Sequence, residues 1–234
     1  MRAGGPPADA GTVRSAPVPA TEDIYTEPEL DPDGLANLGP LRPMAGIWEG
    51  SSGADVHPVA AGSESDTYVE RYELQPIDPQ TNGPQWFYGL RYHVHIVKPG
   101  EVETFHDQVG YWLWEPATGA VLQTLAIPRG QVALVAGTAA PDATEFELRG
   151  TRGSTEYGIC SQPFLERNFT TVEIRVTVTI NADGTWGYDE DTVLQIPDRD
   201  DLFHHTDRHT LHKVAEPTLN PLARGDGRGD GAEV

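Results

Sequence analysis

The sequence has little cysteine, few basic residues and no long apolar run. Its single cysteine, Cys160, excludes an internal disulfide framework and a metal site built from cysteines. Lysine and arginine total 16 against 36 aspartates and glutamates, and the formal net charge of −20 predicts no binding to nucleic acid or anionic membranes. No stretch approaches the roughly 18 apolar residues of a membrane span, and the N-terminus lacks the apolar segment of a signal peptide. We therefore expect a cytoplasmic protein.

Both ends of the chain differ in composition from its centre. Residues 1–38 are rich in proline, alanine and acidic residues, and residues 216–234 are rich in glycine. Neither segment has a regular apolar pattern, so neither buries enough apolar surface to offset the entropy of an ordered chain, and both are predicted to be disordered. The remaining segment, 39–215, is long enough to close a barrel around a ligand.

Short β-strands separated by turns dominate this central segment. Each strand is indicated by alternating polar and apolar residues or by a run of aromatic and β-branched residues. Glycine, proline, asparagine and aspartate mark the turns between strands. The ten predicted strands cover residues 44–50, 65–74, 85–97, 102–115, 120–127, 131–137, 145–150, 169–180, 186–196 and 205–214. Sequential strands with almost no helix predict an all-β fold, an up-and-down antiparallel barrel of about ten strands.

Half of the eight histidines lie close together on the last predicted strand. They are His204, His205, His209 and His212. Imidazole is the commonest metal ligand among side chains and titrates near neutral pH. The cluster therefore points to bound iron, as haem or as a bare ion, or alternatively to a solvated strand end without a ligand.

Four short motifs occur in the order found in one known family. Residues 46–50 are Gly-Ile-Trp-Glu-Gly, residues 68–72 are Tyr-Val-Glu-Arg-Tyr, residues 106–112 have the pattern His-x-x-x-Gly-Tyr-Trp, and residues 211–213 are Leu-His-Lys. In this order they resemble the nitrobindin family, haem-binding barrels built like fatty-acid-binding proteins. The resemblance covers about residues 40–214.

The resemblance implies a calycin-type barrel of ten strands, with haem b in its mouth and a last-strand histidine as the axial ligand of iron. It also implies binding of small nitrogen or oxygen species, isomerisation of peroxynitrite to nitrate, and a homodimer. Aligning residues 211–213 with the family's closing motif puts the axial position at Thr206. On a regular strand His204 shares the face of that position, whereas His205 reaches it only through a bulge, and both remain candidates.

Three further residues are candidates for contacts with such a haem. His106 would stand on the distal wall, where hydrogen-bond donors control what the iron does with its ligand. Arg129 would meet a haem propionate, because a guanidinium group suits a carboxylate. Trp48 would seal the floor of the barrel below the ligand.

A second histidine set offers a different kind of site. If the strands flanking the turn at residues 98–101 pair without a bulge, His93 lies directly opposite His106 and on the same face as His95. Three imidazoles on one face would hold a divalent metal in facial geometry. The set depends on that register, since a shift of one residue moves a side chain to the other face.

Three functions therefore remain open from the sequence. The first is a haem protein with peroxynitrite isomerase activity. The second is a barrel that carries a fatty acid or another apolar small molecule without a cofactor. The third is a non-haem metalloenzyme that uses His93, His95 and His106.

Overall fold

The computed structural model describes residues 23–219, which form eleven β-strands, one 3₁₀ turn (Gly39–Met44) and one short α-helix. The strands are β1 (Gly46–Val59), β2 (Gly62–Asn82), β3 (Gln85–Val97), β4 (Thr104–Glu115), β5 (Ala120–Ile127), β6 (Gln131–Thr138), β7 (Glu145–Thr151), β8 (Ile159–Ser161), β9 (Thr170–Ile180), β10 (Trp186–Gln195) and β11 (Phe203–Ala215). The helix, α1 (Pro163–Asn168), lies between β8 and β9. Neither helical segment of the described chain has the length and hydropathy needed to cross a bilayer.

Ten of these strands close into one antiparallel barrel. Strands β1 to β7 pair in chain order, β7 pairs with β9, and β9, β10 and β11 continue the sheet until β11 pairs with β1. The three-residue strand β8 lies outside this ring and pairs with the first residues of β6. The predicted all-β barrel of about ten strands is confirmed.

The observed strands differ from the predicted limits in the hairpin of β1 and β2, in the segment before β9, and at the end of β2, which continues to Asn82. Strand β1 continues to Val59 and β2 already begins at Gly62, so the two strands meet in a tight hairpin. The sequence between residues 51 and 64 is too rich in serine, glycine and charge to predict a strand there. The segment before β9 contains β8 and α1, neither of which was predicted.

One end of the barrel is closed by the 3₁₀ turn. Leu38, Leu41 and Met44 are fully buried there, and the carbonyl of Met44 accepts a 2.7 Å hydrogen bond from the indole Nε1 of Trp48. The predicted disordered tails, 1–38 and 216–234, lie largely outside the described residues. The described part of the first tail, residues 23–38, is irregular but touches the barrel, since Tyr88 donates a hydrogen bond to the carbonyl of Asp31.

A one-residue bulge in β1 decides which side chains enter the barrel. The pairing with β2 runs from Gly50–Glu70 to Gly53–Tyr68, so β1 uses one residue more than its partner. Before the bulge, even-numbered residues such as Trp48 face inward. After it, odd-numbered residues face inward, and Asp55 reaches the interior for this reason.

Glycines flank the bulge because two large rings pass close to its backbone. A Cβ atom on Gly50 would lie 2.3 Å from the Nε2 of His209, and one on Gly53 would lie 2.2 Å from the Cε2 of Tyr68. Both rings are buried, so neither can move aside without disturbing its neighbours.

We expect Gly53→Ala to destabilise the protein by about 1–3 kcal/mol, the usual cost of overpacking a filled interior. This exceeds the gain of about 0.4–1 kcal/mol that alanine brings by stiffening the unfolded chain. Urea denaturation measures the difference, and Ser51→Ala, at an exposed position of the same bulge, is the matched control. Equal stability of Gly53→Ala and the wild type would contradict the packing described here.

Candidate functional site

The open end of the barrel leads into a cavity of about 350 Å³. Much of its wall is apolar, with side chains from β3, β4, β5 and the α1 region; these include Val94, Ile96, Phe105, Ile127, Leu165 and Phe169. The remaining wall, on β1, β2, β10 and β11, carries carboxylates, histidines and tyrosines. A cavity of this size holds a small molecule.

The two adjacent histidines of the last strand face opposite ways. The side chain of His205 points into the cavity and is 32% exposed, whereas that of His204 is 60% exposed on the outside and contacts Asp191. Strand β11 pairs with β10 without a register shift from Phe203 to Leu211, so odd-numbered residues face inward throughout this stretch. Thr206, the axial position implied by the family alignment, therefore faces outward. His205 faces the interior without any bulge.

His205 is held by two carboxylates. Its Nε2 atom lies 2.8 Å from an oxygen of Asp55 and 3.5 Å from one of Asp207. Burial alone would lower the pKa of His205, but the hydrogen bond to Asp55 and the neighbouring negative charges raise it above its ordinary value. Burial opposes ionisation of Asp55 too, yet its hydrogen bonds to His205 and His57 hold its pKa below the usual range.

Four carboxylates lie side by side across the inner face of four neighbouring strands. Asp66 on β2 is opposite Asp55 on β1, Asp55 is opposite Asp207 on β11, and Asp207 is opposite Glu190 on β10. We call these four residues the carboxylate row. Lys98 forms an ion pair with Asp66 at one end of the row. Burial raises the pKa of both Asp207 and Glu190, so a cation or a proton is needed among these groups.

Below the carboxylate row lies a buried polar network centred on Glu70. One oxygen of Glu70 accepts a hydrogen bond from the Tyr188 hydroxyl over 2.9 Å. The same oxygen lies 2.8 Å from the Nδ1 of His209, and the side chains of Glu70 and His209 are both fully buried. The Nε2 of His209 accepts a hydrogen bond from the backbone amide of Ser52 in the bulge. The other oxygen of Glu70 has no hydrogen-bond partner among the described residues, and Glu70 lines the cavity.

Aromatic side chains with hydrogen-bonded polar tips form the rest of the cavity floor. Trp112 donates to the Tyr72 hydroxyl over 3.0 Å, and Gln108 donates to the Tyr92 hydroxyl over 2.7 Å. Burial raises the pKa of Tyr72 and Tyr92 well above that of a solvated phenol, and does the same for Tyr188. These tyrosines are therefore neutral donors and acceptors at physiological pH.

The wall opposite His205 carries the predicted distal residues. His106 points inward from β4, and burial lowers its pKa, so its imidazole is biased towards the neutral form. Arg129, in the turn after β5, also lines the cavity near its open end. Trp48 does not line the cavity; it is buried in the floor and packs edge-on against Trp186 with ring centroids 6.2 Å apart.

The alternative histidine set is not assembled. Strands β3 and β4 pair His93 with Val109 and Ile96 with His106, so the expected pairing of His93 with His106 is wrong by three residues. The loop is longer than a two-residue hairpin because a Pro-Gly turn twists against the strands, and Phe105 forms a bulge. His93 and His95 consequently lie on the outer surface, bonded to Asp107 and Thr104, while His106 faces the interior.

Comparison with known families agrees with this geometry. A family model described as a "THAP4-like, heme-binding beta-barrel domain" matches residues 37–213, more than half of the chain. The chain belongs to this family. The nitrobindin resemblance seen in the four short motifs is thereby confirmed, and residues 37–213 match the haem-binding barrel domain that defines the family.

A solved structure supports the same fold. The barrel is similar to the crystal structure of Rv2717c from M. tuberculosis, with a TM-score of 0.53 and 21% sequence identity over 77% of this chain and 97% of that chain. At this identity the similarity concerns the fold alone. A search of curated proteins finds no match to this chain.

Several site residues were not predicted from the sequence. Asp207 follows His205 at a spacing of two, so period-two alternation on the last strand was a sufficient signal for its inward direction, and the same alternation places His209 of the histidine cluster on the inner face. Asp55 had no such signal, because its inward direction depends on the bulge. Glu70 and Tyr188 come together only through pairing of distant strands.

We expect the stability of the protein to fall steeply in alkali. An unfolded tyrosine ionises with a pKa of about 10. Because the folded pKa of the buried tyrosines is raised, their contribution to stability is complete below about pH 10 and is lost as the pH rises above it. Urea denaturation between about pH 8 and 11 measures this loss, and Tyr92→Phe should make the slope of unfolding free energy against pH shallower. Tyr111→Phe, at an exposed position, is the control, and equal slopes in both variants would contradict the assignment.

Proposed function

We propose that the protein binds haem b in the open end of the barrel, with His205 as the axial ligand of iron. The observation that carries the proposal is the inward direction of His205, on the closing strand, into a cavity with a largely apolar wall. His204, the other candidate, points away from that cavity.

The surroundings of His205 suit an iron ligand. A metal-bound histidine usually donates its second ring N–H to a carboxylate, which fixes the ring and raises its basicity. His205 makes such a contact with Asp55 through one ring nitrogen, and the structure gives its other ring nitrogen no partner within residues 23–219. His205 would therefore hold the haem iron through its other ring nitrogen, with Asp55 as the group that orients the imidazole.

The opposite wall supports binding of a small ligand beside the haem. Neutral His106 has a ring N–H to donate and a ring nitrogen to accept, and polar groups on the distal side of a haem determine which ligands are stabilised. Arg129 at the open end supplies positive charge for a propionate. Haem would supply an iron atom that binds small nitrogen and oxygen species, and we propose peroxynitrite isomerisation to nitrate as the activity on the basis of the family.

A haemin titration followed by absorption tests the proposed ligand. We expect a Soret band that saturates near one haem per chain in the wild type. His205→Ala should weaken binding by at least about tenfold, because even the loss of a group that only orients a ligand costs 10–100-fold in affinity.

His204→Ala is the matched control, since it removes the neighbouring imidazole from the outer face of the same strand. It should leave the titration unchanged. A His205→Ala protein that binds haemin as the wild type does would overturn the assignment. A wild-type protein without a Soret band would overturn haem binding itself and leave an apolar ligand as the occupant of the cavity.

A further inference from the structure

Three side chains at the open end converge on one point from two neighbouring strands. One ligand atom each from Asp55, His205 and Asp207 lies within 4.8 Å of the others. Asp55 is 1% exposed, and the other two are partly buried at the cavity wall. Such a group is unlike a solvated surface cluster, because Asp55 is enclosed by the barrel and the other two side chains line its cavity.

The strand geometry explains the convergence. His205 and Asp207 are two residues apart on β11, so they share its inner face. Asp55 on β1 is directly opposite Asp207, and the bulge in β1 turns it inward. His57 bonds to the second oxygen of Asp55 at 2.5 Å and fixes the orientation of this carboxylate.

The carboxylate row lacks matching positive charge from lysine or arginine. Lys98 pairs with Asp66, but within residues 23–219 no lysine or arginine forms an ion pair with Asp55, Asp207 or Glu190. Carboxylates this close together are stable only with a cation or protons between them. Apart from the imidazoles of His205 and His57, a bound cation at the middle of the row would supply this positive charge.

We propose that Asp55, His205 and Asp207 form a binding site for one divalent transition-metal ion in the haem-free protein. Two carboxylates and one imidazole are a mixed oxygen and nitrogen donor set, which suits the ions from Mn²⁺ to Zn²⁺ better than Mg²⁺ or Ca²⁺. The ion takes the place of the proton that His205 and Asp55 share. Its remaining coordination positions face the cavity and are open to water or a small anion.

A neighbouring group of potential ligands is a poorer site. Asp55, His57 and Asp66 also lie within 4.8 Å of one another. The ammonium group of Lys98 already occupies Asp66, and His57 already bonds to Asp55. The geometry therefore assigns the ion to the side of Asp55 that faces His205.

Titration of the chelator-treated, haem-free full-length protein with Co²⁺ tests the site directly. We expect saturation at one ion per chain with the visible absorption of coordinated Co²⁺, and displacement by Zn²⁺. Asp207→Asn and His205→Ala should each weaken binding by at least about tenfold, since each removes a direct ligand. Circular dichroism and urea denaturation establish that each variant is folded.

Asp191→Asn and His204→Ala are the matched controls. They change an aspartate–histidine pair, 2.8 Å apart, on the outer face of β10 and β11. Both should bind Co²⁺ as the wild type does. The proposal is overturned if the wild type shows no saturable binding, if folded Asp207→Asn binds normally, or if the control variants lose binding equally.

The metal site does not rest on haem binding, but the two share His205 and should exclude each other. In the presence of saturating Zn²⁺, haemin should require a higher concentration to develop the Soret band. Equal haemin affinity with and without Zn²⁺ would overturn the shared ligand. Failure of the haemin titration alone would remove the proposed function and leave the Co²⁺ result as it stands.

Discussion

Closure of the barrel is the constraint on which the rest of the structure depends. Each of the ten strands of the ring is hydrogen-bonded on both sides, so its register is fixed twice and its side chains cannot change face without breaking two ladders. The adjustment that brings Asp55 into the site is the extra residue of β1. It switches the inward parity of that strand halfway along and thereby brings Asp55 opposite Asp207.

Polar groups inside the barrel are arranged in layers along its axis. The apolar base contains Trp48 and Leu211, the next layer contains the Glu70–His209 pair, and the carboxylate row follows towards the open end. Removing one partner of a buried pair costs about 3–5 kcal/mol, because the other charge is left without compensation. The bulge of β1 contacts this pair directly, because the backbone amide of Ser52 donates a hydrogen bond to His209.

The open end combines an apolar wall with an acidic one. The apolar wall suits the flat surface of a porphyrin, whereas the acidic wall favours a cation. His205 stands where the two walls meet and is within reach of both kinds of partner. In the two proposals a haem iron and a divalent ion are alternative partners of one imidazole, and Asp55 would orient that imidazole for the first and would itself be a ligand for the second.

The sequence by itself determined the strands, the family and the importance of the last strand. Period-two alternation and turn residues are local properties, so eight of the predicted strands fall close to their observed limits, and the four motifs identify the haem-binding barrel family. The same alternation separates His204 from His205, but the family alignment could not say which of them faces inward.

Only the tertiary structure decided the inner face. The bulge after Gly50 and the bulge at Phe105 each shift the strand register by one residue, and no local sequence pattern predicted either bulge. The first brings Asp55 to His205, and the second helps to separate His106 from His93 and His95. A register shift of one residue has a large effect, because it moves the side chains that follow from the inner face of a barrel strand to its outer face, or the reverse.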